Sequence, residues 1–212
     1  MNNPDISILV ISCSLYKNIW DPFFELLQKN WPDCPYDIYL GTDKYTEDYS
    51  YDGHNIKLVK TQLEPYAGNY SNRTVDFLSQ INSKYVIIFQ DDHLIDSKVI
   101  TDEITACYSI LEQTQGVYNG IRLHGVGGDC GLGIPKYIVN NRIRINECNQ
   151  NQNYLFSWMC SIWNRKFILE KLDSIKDTSA DSCEGKLTNI MKENNIKMLA
   201  IADDRESPKR VK

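Results

Sequence analysis

The stretch Tyr85-Val-Ile-Ile-Phe-Gln-Asp-Asp-His-Leu-Ile-Asp96 constrains this chain most. Tyr85 to Phe89 is an unbroken apolar run, the pattern of a strand buried on both faces of a parallel sheet. It passes directly into Gln90, Asp91 and Asp92, and apolar residues resume at Leu94 and Ile95. Adjacent carboxylates at the end of a buried strand repel each other and lose hydration unless something positive neutralises them. A divalent cation carrying a diphosphate meets that need, because hard cations take carboxylate oxygens. The alternative is that the pair caps the next helix or sits in a solvated turn.

The rest of the chain alternates strand and helix patterns. Ile6 to Ser12 reads as a first strand. Asp21 reads as the cap of a helix with Pro22 at its first position, and Phe23, Phe24, Leu26, Leu27 and Trp31 supply the apolar face. Pro32 and Pro35 end it. Tyr36 to Leu40 is a second strand closed by Gly41-Thr-Asp43, and Asn55 to Val59 is a third. Val75, Phe77, Leu78 and Ile81 have helical spacing, which predicts a helix over 71–82. Tyr85 to Phe89 is then the fourth strand. A helix from Ser97 to Gln113, a strand from Val117 to Leu123 and a hairpin across Asn140-Asn141 follow. Tyr154 to Trp163 is aromatic and apolar. Helices over 165–172 and 182–193 and a strand from Lys197 to Ala202 complete the pattern. Between the hairpin and the strand before it, Gly125, Gly127, Gly128, Gly131 and Gly133 fit neither a phosphate-loop nor a dinucleotide fingerprint, and read as a loop.

Such alternation implies an α/β fold with a largely parallel sheet flanked by helices. Ligands of these sheets bind outside the carboxyl ends of the strands. Ser12 and Cys13, Asp43, and Gln90 to Asp92 all lie at such ends. Three polar strand ends therefore converge on one crevice.

Composition narrows the partners. The net charge of −5 argues against a nucleic-acid binder. Lys209, Arg210 and Lys212 form a basic tail that allows at most peripheral contact with a membrane. The seven cysteines are odd in number and irregular in spacing, and none forms a C-x-x-C pair, which argues against a zinc site of common spacing and a disulfide framework and fits a reducing cytoplasm. No signal peptide is expected before Ile6, and no apolar run approaches the length of a membrane span. A chain of 212 residues without an evident linker is expected to be one domain.

Four stretches stand out together: Ser7-Ile-Leu-Val-Ile-Ser-Cys-Ser14; Tyr39-Leu-Gly-Thr-Asp43; Ser71-Asn-Arg-Thr-Val-Asp-Phe-Leu78 with Tyr85 to Asp92; and Tyr154 to Asn164 followed by Glu184. On them the chain resembles glycosyltransferases of the GT-A fold, family-2-like and dependent on nucleotide-sugars. The resemblance implies a single GT-A domain over 1–212. Residues 1–96 would be its nucleotide-binding half, 97–205 an irregular acceptor half, and 206–212 a tail. It places Ser12, Cys13, Asp43, Arg73 and Asp91 at the nucleotide, with Asp43 near the base or ribose. Asp92 becomes the metal ligand for Mn²⁺ or Mg²⁺, with His124 as a substitute for the family's late histidine. The family's metal motif has a carboxylate at its first position, where this chain has Gln90, so metal affinity is lower or metal is dispensable.

Glycosyl transfer needs a neutralised diphosphate, a general base and a pocket with aromatic walls. Arg73 is the phosphate candidate, ahead of Arg122 and Lys136. Glu184 and then Asp181 are the base candidates, since the resemblance puts an acidic residue at a helix start here. Trp158 and Trp163 would line the acceptor pocket. The implied activity is inverting transfer to a glycan or lipid-linked acceptor, as in polysaccharide biosynthesis. Two alternatives stand beside it: a sugar-phosphate nucleotidyltransferase, although no Gly-rich basic loop follows the first strand, and a non-catalytic GT-A-like binding module.

Overall fold

The computed structural model describes residues 5–123, 134–140 and 143–202. Its centre is a nine-stranded sheet. Strands β1 (Ile6–Ile11), β2 (Asp37–Asp43), β3 (Ile56–Thr61) and β4 (Tyr85–Gln90) form one half, and β5 (Tyr118–Arg122), β6 (Ile134–Val139), β7 (Ile143–Glu147), β8 (Ser161–Asn164) and β9 (Lys197–Ala202) the other. The spatial order is β3-β2-β1-β4-β8-β5-β9-β7-β6. Pairing is parallel from β3 through β4. The last strand written into the chain's aromatic segment, β8, then enters antiparallel between β4 and β5. Strands β5 and β9 pair parallel, while β7 pairs antiparallel with both β9 and β6. The sheet is thus parallel in its first half and mixed in its second.

Alternation along the strands divides the core into two layers. Ile6, Ile8 and Val10 of β1 and Tyr85, Ile87 and Phe89 of β4 meet Trp20, Phe23, Phe24 and Leu27 of helix α1 (Trp20–Asn30) and Ile104, Cys107 and Leu111 of α3 (Thr101–Gln113). Leu9, Ile11, Val86 and Ile88 point to the opposite face. There they meet Phe77 and Leu78 of α2 (Tyr70–Ser79), Ile168 and Leu172 of α4 (Arg165–Asp173), and Leu187 and Met191 of α5 (Ala180–Glu193). The apolar runs in β1 and β4 follow from this: both faces are covered.

Several boundaries differ from expectation. A 3-10 segment, Ser14–Ile19, precedes α1, which starts at Trp20 and carries Asp21 in its first turn instead of using it as a cap. Helix α3 begins at Thr101, not at Ser97. Helix α5 begins two residues early because Ser179 caps it, its Oγ accepting from Ser182 N at 3.3 Å. The strand β8 at the end of the aromatic segment was not anticipated as a strand. The glycine-rich stretch, His124 and the basic tail lie outside the described residues. Among the described residues no helix is long and apolar enough to cross a membrane.

Candidate active site

Because β8 is antiparallel to both neighbours, β4 and β5 point the same way, and the loop before Ser161 lies at their carboxyl ends. This one edge of the sheet gathers the ends of β1, β2, β4 and β5 with residues 154–160.

Ser12 is the hub. Its N–H donates to Gly41 O at 2.9 Å, tying β1 to β2. Its Oγ donates to Asp91 Oδ2 and accepts from Trp20 Nε1 at 2.6 Å. Its carbonyl accepts from Arg73 Nη2. Ser12 is buried, so it organises the edge more than it faces a ligand. Cys13 beside it is also buried; burial pushes its thiol up, while the Arg73 guanidinium pulls the other way. That direction is unsuited to a nucleophile.

Asp43 has none of its surface exposed. Its Oδ2 accepts from Ser14 N at 2.8 Å and Ser14 Oγ at 3.0 Å, and its Oδ1 from Tyr45 N at 3.0 Å. It fastens the 3-10 segment to the end of β2. The expectation that it touches a base or ribose does not match that burial: charge at a strand end satisfied local backbone donors first.

The three motif positions have separate environments. Gln90 Nε2 donates to Tyr70 Oη at 3.0 Å. Asp91 is buried against Ser12, and burial raises its carboxyl above the ordinary range. Asp92 is open, its side chain 72% exposed, with His93 Nε2 3.9 Å away. Among the described residues no three His, Cys, Asp or Glu side chains converge to hold a metal ion. Among the described residues, the open carboxylate of the motif that could meet Mn²⁺ or Mg²⁺ is Asp92.

Arg73 comes from α2, one turn after Tyr70 and one before Phe77, so all three share a face. Its guanidinium lies 5.8 Å from the Phe77 ring centroid. Tyr70 was missed by sequence reasoning; the signal was its i, i+3 spacing from Arg73. Its ring stands edge-on to Trp158 with centroids 5.0 Å apart, and burial pushes its phenol above the usual value.

In the segment before β8, Trp158 N donates to Glu184 Oε1 at 2.7 Å and Trp158 Nε1 to Ala180 O at 3.0 Å. Glu184 is half-buried in the second turn of α5, not at its start; Asp181 is exposed in the first turn. Trp158 is buried at the edge of the second core layer. Trp163 is 1% exposed, tilted against Phe156 and stacked on Phe167, so it is core and not a pocket wall. The exposed ring of this segment is Tyr154, 61% exposed. Arg122 is buried and donates to the carbonyls of Tyr154 and Leu155 at 2.8 and 3.4 Å, and Lys136 lies 3.7 Å from Glu147.

These features define a GT-A-like α/β domain, the fold that this chain shares with a glycosyltransferase and with nucleotidyltransferases. TarS from S. aureus, residues 1–349, matches with a TM-score of 0.55 at 14% identity, over 93% of this chain and 58% of that one. TarS in complex with UDP-GlcNAc matches at 0.55 and 16%, over 93% and 56%. CMP:2-keto-3-deoxy-manno-octonic acid synthetase complexed with CTP matches at 0.52 and 8%, over 92% and 88%. The chain thus spans little more than half of the TarS fragment. No protein-family model and no curated protein matches the sequence.

Proposed function

We propose that this chain transfers a sugar from a nucleotide-diphosphate sugar to a glycan or lipid-linked acceptor, with inversion. One observation carries the reading: a buried guanidinium and a half-buried carboxylate stand at the same sheet edge, linked through Tyr70 and Trp158. Arg73 binds the diphosphate. Glu184 keeps Oε1 on the Trp158 backbone and uses Oε2 to take the proton of the acceptor hydroxyl. The acceptor oxygen attacks the anomeric carbon, the bond from that carbon to the phosphate oxygen breaks, and the nucleoside diphosphate leaves with the electron pair. One base and one displacement suit inversion. Ser12, Cys13, Asp43 and Asp91 shape the nucleotide crevice, and Tyr154 offers an exposed ring to an acceptor sugar.

A thermal-shift screen of UDP-, CDP- and GDP-sugars tests this, with UDP-sugars first because TarS is known with UDP-GlcNAc. A ligand at a hundred times its dissociation constant stabilises by about 2.7 kcal/mol, well above noise. A nucleotidyltransferase is the second reading. It is favoured by the length match, since the chain covers 88% of the CTP-bound synthetase. Stabilisation by CTP or another triphosphate, with no response to any nucleotide-sugar, would transfer the assignment to it.

A further inference from the structure

Among the described residues, Arg73 carries a positive charge that no ion pair with a carboxylate meets. It is 6% exposed. Its hydrogen bond runs from Nη2 to Ser12 O, and its Nε is buried without a partner. A guanidinium offers five donors in a fixed fork. Taking such a charge out of water is costly unless an anion meets it. Meanwhile the positions that would hold a cation are committed elsewhere: Gln90 to the Tyr70 hydroxyl, and Asp91 to the Ser12 hydroxyl. Only Asp92 is open.

We propose that Arg73 is the fixed counter-charge of this site and that a nucleoside diphosphate binds here without a divalent cation. The inference rests on the nucleotide-site reading above. Arg73 stands where the ends of β1 and β4 meet, so an anion arriving there pairs with a charge already desolvated and already oriented. Fork-to-phosphate hydrogen bonds are among the strongest that a protein makes.

Calorimetric titration with UDP, CDP, GDP and ADP, each in EDTA and again in Mn²⁺, tests it. The tightest binder should show dissociation constants that agree within about threefold between the two conditions, less than one kcal/mol by the usual conversion of affinity. Arg73→Met should weaken that binding by about tenfold or more, as loss of a charge-assisted pair requires. Its thermal midpoint without ligand should equal or exceed that of the parent, because an unpaired buried charge has been replaced by an apolar chain. Binding that requires Mn²⁺ overturns the cation-free site and leaves the nucleotide reading intact. Absence of binding in both conditions overturns both. An Arg73→Met protein that binds as the parent does, or that unfolds, overturns the role given to Arg73.

Discussion

Burial holds the Asp91 carboxyl above its ordinary value; the Ser12 hydroxyl lowers it and the neighbouring Asp92 raises it further. A carboxyl raised on folding binds its proton more tightly in the folded chain than in the unfolded one. Its contribution to stability is full below the ordinary value of 3.8 and is lost as pH rises through the folded value. Asp91→Asn keeps an oxygen to accept from Ser12 and removes the titration. The variant should therefore be more stable than the parent at neutral pH, with the difference closing as the pH falls towards 3.8. Thermal unfolding across that range reads the sign. A variant less stable at neutral pH would mean that a nearby cation stabilises the carboxylate more than burial penalises it.

Glu184 invites a different test at the same scale. A glutamine at 184 can still accept from Trp158 N, so Glu184→Gln should fold and bind donor like the parent. Loss of a general base costs about 10² to 10⁴ in rate. Transfer by Glu184→Gln should fall by that order, while Asp181→Asn, altering an exposed first-turn residue, should stay near parental turnover. The reverse pattern would assign the base to Asp181. Parental turnover in both would remove the base from α5.

The elements meet at two close approaches. A Cβ on Gly41 of β2 would lie 2.6 Å from Cδ2 of Phe77 on α2. Gly41 also holds Ser12 N through its carbonyl. Gly41→Ala should push α2 outward and displace Arg73 with it. Overpacking of this kind costs about 1–3 kcal/mol. A lowered denaturant midpoint at unchanged slope, together with weaker nucleotide binding, is the expected result. An unchanged midpoint would mean that Phe77 swings aside freely. On β5, a Cβ at Gly120 would lie 2.6 Å from Cε3 of Trp163, so the bare glycine leaves room for that indole to fill the sheet-to-helix layer.

The sequence made β1, β4 and the helices with periodic apolar faces legible, because burial on both faces or on one stripe leaves a pattern in neighbouring residues. It did not disclose β8. The segment before Asn164 is apolar without alternation, and what makes Ser161–Asn164 a strand is a slot between β4 and β5, far away in the chain. Convergence of the strand ends was readable from the parallel order. The use of each polar group there was not. Asp43 serves its own backbone, Gln90 serves Tyr70, and Arg73 is buried, all consequences of contacts across the fold.

At the scale of the whole molecule, that slot decides how the chain unfolds. We expect residues 1–96 and 97–205 to behave as one cooperative unit. Strand β4 has β1 on one side and β8 on the other, so removing the second half would expose one long edge of a buried strand. The second core layer mixes Leu9, Ile11 and Phe77 from the first half with Trp163, Ile168 and Leu187 from the second. Tyr70 on α2 and Trp158 before β8 close the same seam at the site. Calorimetry should give one transition with equal calorimetric and van't Hoff enthalpies. Gly41→Ala from the first half and Trp163→Ala from the second should each lower that same transition, the second by about 3–5 kcal/mol. Two transitions, with each substitution lowering only one of them, would make the halves independent folding units. The link from Arg73 through Tyr70 and Trp158 to Glu184 would then cross a movable boundary instead of a shared core.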